Sequence, residues 1–172
     1  MTKNLDSEGL RSIFRNYDLF FIDLWGVMHN GIELYKEAVN VLTAISESKK
    51  NYILLTNAPR PKKNVENFLK KIGLEKNKRE KVFTSGEAAL NFLKKKHLMH
   101  SFYHIGPPRD FDLFMDFKKN KTKEIIKSDY LLCTGLFDDF DKDLNYYKEL
   151  LINYTSKKMI CTNPDLIVDR GK

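Results

Sequence analysis

The 172 residues, 42% of them apolar, are enough for one sizeable core or for a small core with an appended domain. The net charge of +7 is spread evenly, with +4 over residues 1–87 and +3 over residues 88–172, which is typical of solvated helix faces rather than of nucleic-acid binding. The sequence has neither the roughly 18-residue apolar run of a membrane helix nor a signal peptide's apolar core, so we expect a cytoplasmic protein with no membrane partner.

Apolar runs that suit strands alternate with amphipathic runs that suit helices along most of the chain. The predicted strands are 18–24, 51–56, 81–84, 101–105, 129–134 and 158–162. The predicted helices are 36–49, 61–72, 86–97, 110–118 and 143–156. This alternation is typical of βαβ units and predicts an α/β fold with a parallel sheet. We divide the chain into a first unit, 1–87, and a second unit, 88–172, although helix 86–97 could belong to either.

The first predicted strand ends on a carboxylate. The apolar residues from Leu19 to Ile22 lead to Asp23, and Gly26 then lets the backbone turn. Such a run predicts an inner strand buried on both faces, with Asp23 at the carboxyl edge of the sheet, where open α/β folds bind their ligands. Because burial of an unpaired ion is costly, we expect Asp23 to meet a cation, hydrogen-bond donors or a substrate.

The second predicted strand delivers a hydroxyl to a loop that leads into a helix. Thr56, Asn57 and Ala58 follow the apolar run, and a hydroxyl with free backbone N–H groups is a natural phosphate cradle. An ordinary turn with a helix cap explains this segment equally well on its own. Together with Asp23, which could act as a nucleophile or bind Mg²⁺, the two strand ends favour phosphoryl transfer.

Several segments together resemble the haloacid dehalogenase (HAD) superfamily, and within it the class IIA, NagD-like hydrolases with a C2-type cap and Trp-Gly in the first motif. The segments that carry the resemblance are 23–27, 56–57, 84–87, 133–139 and 161–165. The resemblance implies a partial Rossmann-like core in residues 1–87, followed by an α/β C2-type cap in residues 88–172 that is incomplete at its C-terminus.

The resemblance also implies a function, a Mg²⁺-dependent phosphatase that acts on a small phosphorylated metabolite. Asp23 would be the nucleophile that forms an aspartyl-phosphate, and the Trp25 carbonyl would bind Mg²⁺ beside it. The phosphoryl oxygens would be held by Thr56, which also counts as catalytic, and by Asn57 and Ala58. The cap loop that helps to choose the substrate would consist of Asn163, Pro164 and Asp165.

Two departures from the family pattern limit this expectation. Trp25 occupies the position of the usual second Asp, the general acid and base, and His29 is the nearest titratable replacement. The sequence also stops before the family's third motif, a Lys, and its fourth, an acidic metal motif. We therefore expect an enzyme in intact form whose 172 residues alone catalyse poorly. The alternative is a truncated or non-catalytic remnant that only binds a ligand or a protein, and an incomplete sheet would favour a homo-oligomer.

For three further side chains, the sequence predicts only whether they are buried. Cys133 and Cys161 lie in apolar runs and are predicted to be reduced, buried thiols without metal-ligand spacing. Trp25 could equally form an aromatic wall of the pocket or a buried plug.

Overall fold

The computed structural model describes residues 9–141 and 143–164, which form two parallel sheets. The first sheet has the order β1-β2-β3, and the second has the order β5-β4-β6-β7. The strands are β1 (Leu19–Asp23), β2 (Asn51–Thr56), β3 (Val82–Thr84), β4 (Phe102–Ile105), β5 (Lys121–Thr122), β6 (Tyr130–Cys133) and β7 (Lys158–Cys161). All six predicted strands are confirmed, and the predicted α/β class with them; the two-residue β5 was missed because it is too short to show a pattern.

The helices also follow the sequence pattern, except that the four-residue helix Lys76–Arg79 was not predicted and that two predicted helices differ locally. The α-helices are α1 (Lys36–Glu47), α2 (Lys62–Lys71), α3 (Lys76–Arg79), α4 (Ser85–Lys96) and α5 (Leu144–Leu151). The predicted helix 110–118 lies within a 3-10 segment, Pro108–Asn120, that is kinked at Phe114. The predicted helix 143–156 is α-helical only to Leu151 and continues as a 3-10 turn, Ile152–Tyr154.

The first sheet is covered on one face. Helices α1 and α2 pack against it through Leu42, Ile45, Val65 and Leu69, which are all buried. The opposite face carries Phe21, which is 64% exposed. The prediction that the first strand lies inside the sheet with both faces buried is therefore wrong for the described residues, because β1 is an edge strand and no described helix packs on its second face.

The second sheet is covered on both faces. Tyr130 and Leu132 of β6 point into a core shared with α4 and the Pro108–Asn120 segment. Leu131 points to the opposite side, into a core that includes Tyr147 of α5. The alternation of side chains along a strand explains why β6 reads as a continuous apolar run.

Helix α4 begins directly at the end of β3. The side chain of Thr84 accepts a hydrogen bond of 2.9 Å from the Glu87 backbone N–H and so caps the helix, one residue before the Ser85 signal that the sequence suggests. None of the helices in the described ranges is long and apolar enough to cross a membrane. Whether the boundary between two domains lies at residue 87 stays a prediction.

Candidate active site

Parallel pairing brings three strand ends to one edge of the first sheet. Asp23 pairs with Leu55 in register, and Thr56 pairs with Thr84. Asp23 and Thr56 line the same two cavities, with volumes of about 390 and 630 Å³. The structure therefore brings the predicted carboxylate and hydroxyl to a shared crevice, and Asp23 is exposed there rather than sealed in a core.

A tight turn after β1 shapes the wall of the larger cavity. Gly26 has a φ of +74°, a left-handed conformation that favours glycine, and its N–H donates to the His29 carbonyl at 2.9 Å. The Trp25 ring lies over Gly31, where a Cβ would be 2.6 Å from ring atom Cη2. Because Trp25 is 40% exposed and lines the cavity, it is an aromatic wall and not a buried plug.

The loop after β2 presents the Thr56 hydroxyl in a defined way. The Ala58 N–H donates to Thr56 Oγ1 at 3.2 Å, so the hydroxyl oxygen is an acceptor within its own turn. A hydroxyl that accepts one hydrogen bond still has its own hydrogen to donate, and a phosphoryl oxygen is a suitable acceptor. Asn57 and Ala58 line the larger cavity beside it, so the three predicted phosphate-binding residues lie together.

His29 lies on the same wall but is poorly suited to donate a proton. It is 4% exposed and packs edge-on between Trp25, at 5.4 Å, and Phe68, at 5.1 Å between ring centroids. Burial lowers the pKa of His29, an effect that the nearby charge of Asp23 opposes. The ring is therefore neutral at pH 7, and because the Gly31 N–H donates to Nδ1 at 3.0 Å, its proton is on Nε2.

The segment after β7 reaches this cavity from the second sheet. Asn163 lines the larger cavity together with Asp23 and Trp25. Pro164 is exposed, and Asp165, the third residue of the predicted substrate loop, lies outside the described residues. The structure thus places one of the three predicted loop residues at the site.

Ser85 and Arg60 also lie at the site, although the sequence pattern did not predict them there. Ser85 follows β3 and lines the smaller cavity, and its buried hydroxyl has no hydrogen-bond partner among the described residues. Arg60 lines the larger cavity, and its Nε lies 3.9 Å from the Asp110 carboxylate. Ser85 could have been predicted, because it follows the end of β3 as Thr56 follows β2. The approach of Asp110 to Arg60 could not, because it joins residues fifty positions apart.

The cysteines differ from the expectation of two buried thiols. Cys133 and Cys161 pair in register on β6 and β7, but Cys161 is exposed and Cys133 is only half-buried. Burial and the neighbouring Cys161 raise the pKa of Cys133 to about 11. The prediction of burial is wrong for Cys161, because β7 is the edge strand of its sheet.

Metal-binding groups are sparse in the described part of the chain. The 9–141 and 143–164 ranges contain no cluster of three or more His, Cys, Asp or Glu side chains that could hold a metal ion. Asp23 and the Trp25 backbone are nevertheless oxygen donors at one cavity, which is the donor type that Mg²⁺ takes, and Mg²⁺ often keeps waters and substrate phosphate as its remaining ligands. Asp23 and the Trp25 carbonyl are therefore the right type of ligand for Mg²⁺ and would supply part of its coordination shell.

Comparison with known proteins shows which family this chain resembles. Residues 20–118 match the family model described as haloacid dehalogenase-like hydrolase. A crystal structure of a haloacid dehalogenase-like hydrolase from Brucella suis 1330 is 31% identical, with a TM-score of 0.82 over 96% of this chain and 63% of that chain. NagD from E. coli K-12 is 18% identical, with a TM-score of 0.62 over 86% of this chain and 57% of that chain.

A curated relative extends the likeness to a named phosphatase. Phosphoglycolate phosphatase 2 of Arabidopsis thaliana is 24% identical over 164 residues, which are 84% of this chain and 53% of the relative. The chain thus spans about half the length of this relative. The fold agrees with the predicted Rossmann-like core followed by a cap. The chain belongs to the haloacid dehalogenase-like hydrolases, and its fold is that of the NagD-like class.

Proposed function

We propose that the intact protein is a Mg²⁺-dependent phosphatase that hydrolyses a small phosphorylated metabolite through an aspartyl-phosphate on Asp23. The observation that carries this proposal is the shared cavity of Asp23 and Thr56, at neighbouring ends of parallel strands. The family supports a hydrolase, and the curated relative is named for phosphoglycolate. A cavity of about 630 Å³ suits a small substrate.

In the proposed reaction, a carboxylate oxygen of Asp23 attacks phosphorus and the bond from phosphorus to the ester oxygen breaks. The Thr56 hydroxyl donates a hydrogen bond to a phosphoryl oxygen, while Asn57 and Ala58 lie beside the same phosphoryl group. Water then attacks the acyl-phosphate, which releases inorganic phosphate and restores the Asp23 carboxylate. Bound Mg²⁺, held by Asp23 and the Trp25 carbonyl, would neutralise charge on the phosphoryl oxygens.

The leaving alkoxide must gain a proton, and this limits the substrates. Trp25 carries no acidic group that can donate, and His29 is neutral. Because proton donation by a placed acid is worth roughly 10²–10⁴-fold in rate, esters of acidic alcohols should react fastest. We expect the rate to fall steeply as the pKa of the leaving alcohol rises, with 4-nitrophenyl phosphate far ahead of an alkyl phosphate.

The test uses the natural gene product with Mg²⁺ and 4-nitrophenyl phosphate. Asp23→Asn should lower kcat by at least about a thousandfold, because the amide is a poor nucleophile. Asp18→Asn is the matched control, since Asp18 is fully exposed beside the same strand and contacts Lys50. Full activity of Asp23→Asn would overturn the catalytic assignment, as would a wild-type protein that binds inorganic phosphate but never hydrolyses the ester.

A further inference from the structure

Arg60 is a charged group on the wall of the larger cavity, on the same loop as Thr56. Its side chain is 55% exposed, so more than half of it is open to solvent or to a ligand. Four residues span at most about 14 Å of extended chain, so Arg60 and Thr56 lie within that distance of each other on the wall of one cavity. Arg60 has no part in the chemistry proposed for Asp23.

The backbone at Arg60 is held by the start of α4. Thr84 Oγ1 donates to the Arg60 carbonyl at 2.8 Å, and the Gly86 N–H donates to the Ala58 carbonyl at 3.3 Å. A Cβ on Gly86 would lie 2.8 Å from both the nitrogen and the oxygen of Arg60, so only glycine permits this approach. The loop therefore offers the Arg60 side chain from a fixed position, which lowers the entropy cost of binding.

Asp110 restrains one edge of the guanidinium. Asp110 is 7% exposed, and its carboxylate lies 3.9 Å from Arg60 Nε, which is beyond hydrogen-bond distance. Burial raises the pKa of Asp110, and the positive charge of Arg60 opposes that rise. A guanidinium has five N–H donors, so this long contact leaves Arg60 able to bind a second acid in a bidentate manner.

The charges on the cavity wall suggest what that acid belongs to. The titratable side chains among the described lining residues are Asp23, His29 and Arg60, and the guanidinium of Arg60 cannot be deprotonated in a protein. Arg60 is thus the permanent positive charge on the described wall. We propose that Arg60 binds a second acidic group of the substrate, so that the site selects small phosphate esters that also carry a carboxylate or another phosphate. This inference rests on the proposed function, which places the phosphoryl group at Asp23.

The test measures binding and does not require turnover. The ¹⁵N-labelled natural gene product, carrying Asp23→Asn so that the ligands are not hydrolysed, is titrated with Mg²⁺ present against ethyl phosphate, phosphoglycolate and the bisphosphate of ethylene glycol. Phosphoglycolate differs from ethyl phosphate by a carboxylate in place of a methyl group. We expect it to bind roughly ten to a hundred times more tightly, as charge-assisted hydrogen bonds do. The titration with the bisphosphate distinguishes a preference for a carboxylate from a preference for any second anion.

Arg60→Gln should remove this preference and leave the affinity for ethyl phosphate within about threefold. Arg109→Gln is the matched control, because Arg109 pairs with Asp138 at 2.5 Å and is not among the cavity-lining residues, so the preference should survive. Arg60→Gln leaves Asp110 buried without its cation, so the double variant Arg60→Gln/Asp110→Asn repeats the measurement with a neutral pair.

The outcomes separate the two proposals. If ethyl phosphate binds near Asp23 and Thr56 but neither acidic ligand binds more tightly, the role of Arg60 is overturned and the proposed phosphate site stands. If the preference survives in both Arg60 variants, the role of Arg60 is likewise overturned. If none of the three ligands shifts the amides of that loop, the proposed phosphate site fails, and the role of Arg60 fails with it.

Discussion

The two sheets of this protein are both parallel but have different surroundings. In the first sheet, Phe21 is 64% exposed, and the strand ends open into cavities that carry Asp23 and Thr56. In the second sheet, β6 is buried on both faces, with Leu132 completely inaccessible. The second sheet is thus covered on both faces, whereas the first sheet has a buried core on one face and carries the candidate chemistry at an open edge. Covered faces stabilise both sheets, and the open edge of the first sheet is where a ligand can bind.

The sharpest test of this comparison is a pair of truncations. Leu132→Ala should lower the free energy of unfolding by about 2–5 kcal/mol, because it opens a cavity in a closed core. Phe21→Ala on the first sheet should change it by no more than about 0.5 kcal/mol, since that side chain already contacts solvent. Urea unfolding followed by circular dichroism measures both. Equal losses would mean that the exposed face of β1 is covered in solution.

The second sheet should also make stability depend on pH. His104 is 5% exposed, and its Nε2 lies 2.9 Å from Thr134 Oγ1. Burial, followed by the charge of Lys121, lowers the pKa of His104 to about 4, whereas a histidine in the unfolded chain titrates near 6.5. The unfolded state then binds more protons between these values, so stability is complete above pH 6.5 and falls by up to about 3 kcal/mol as the pH approaches 4.

Unfolding free energies at pH 7.5 and pH 5 measure this effect. His104→Gln should remove most of the difference between the two pH values. The control is His97→Gln, since the pKa of His97 is also lowered, mainly by burial, but this side chain is only half-buried. If His97→Gln flattened the pH dependence more than His104→Gln, the burial of His104 would not be its source.

A smaller effect is expected where the first sheet meets α4. Thr84→Val keeps the shape of the side chain but removes the hydroxyl that caps α4 and binds the Arg60 carbonyl. Leaving these two backbone groups without partners should cost about 1–3 kcal/mol of stability. Thr43→Val is the control, because the Thr43 hydroxyl only bonds to the Val39 carbonyl of its own helix. Thermal unfolding compares the two, and a similar loss in both would contradict the special role of Thr84.

The last prediction concerns the chemical reactivity of the two cysteines at the edge of the second sheet and involves no change in stability. Cys161 is exposed, while the pKa of Cys133 is raised to about 11, so little of Cys133 is thiolate at pH 8. A thiol reagent such as iodoacetamide should modify Cys161 at least about ten times faster than Cys133. Peptide mass spectrometry over time measures both rates. Equal rates would contradict the prediction that Cys133, on the strand next to β7, is protected from the reagent.

The local pattern of the sequence determined much of this fold. The alternation of apolar and amphipathic runs depends on neighbouring residues, so the six longer strands and the α/β class could be predicted. Asp23 and Thr56 could be paired because parallel strands end at a common edge. The ends of helices were less accurate, since the kink at Phe114 and the 3-10 turn after Leu151 reflect packing rather than propensity.

Only the tertiary structure decided which faces are covered and which distant groups meet. The same apolar pattern describes β1 and β6, yet one is an exposed edge strand and the other lies in a closed core. The contact of Arg60 with Asp110 and the burial of His104 depend on residues that are tens of positions apart. Periodicity reports what each segment can bury, whereas the arrangement of segments in space determines what is buried and which charges remain available to a ligand.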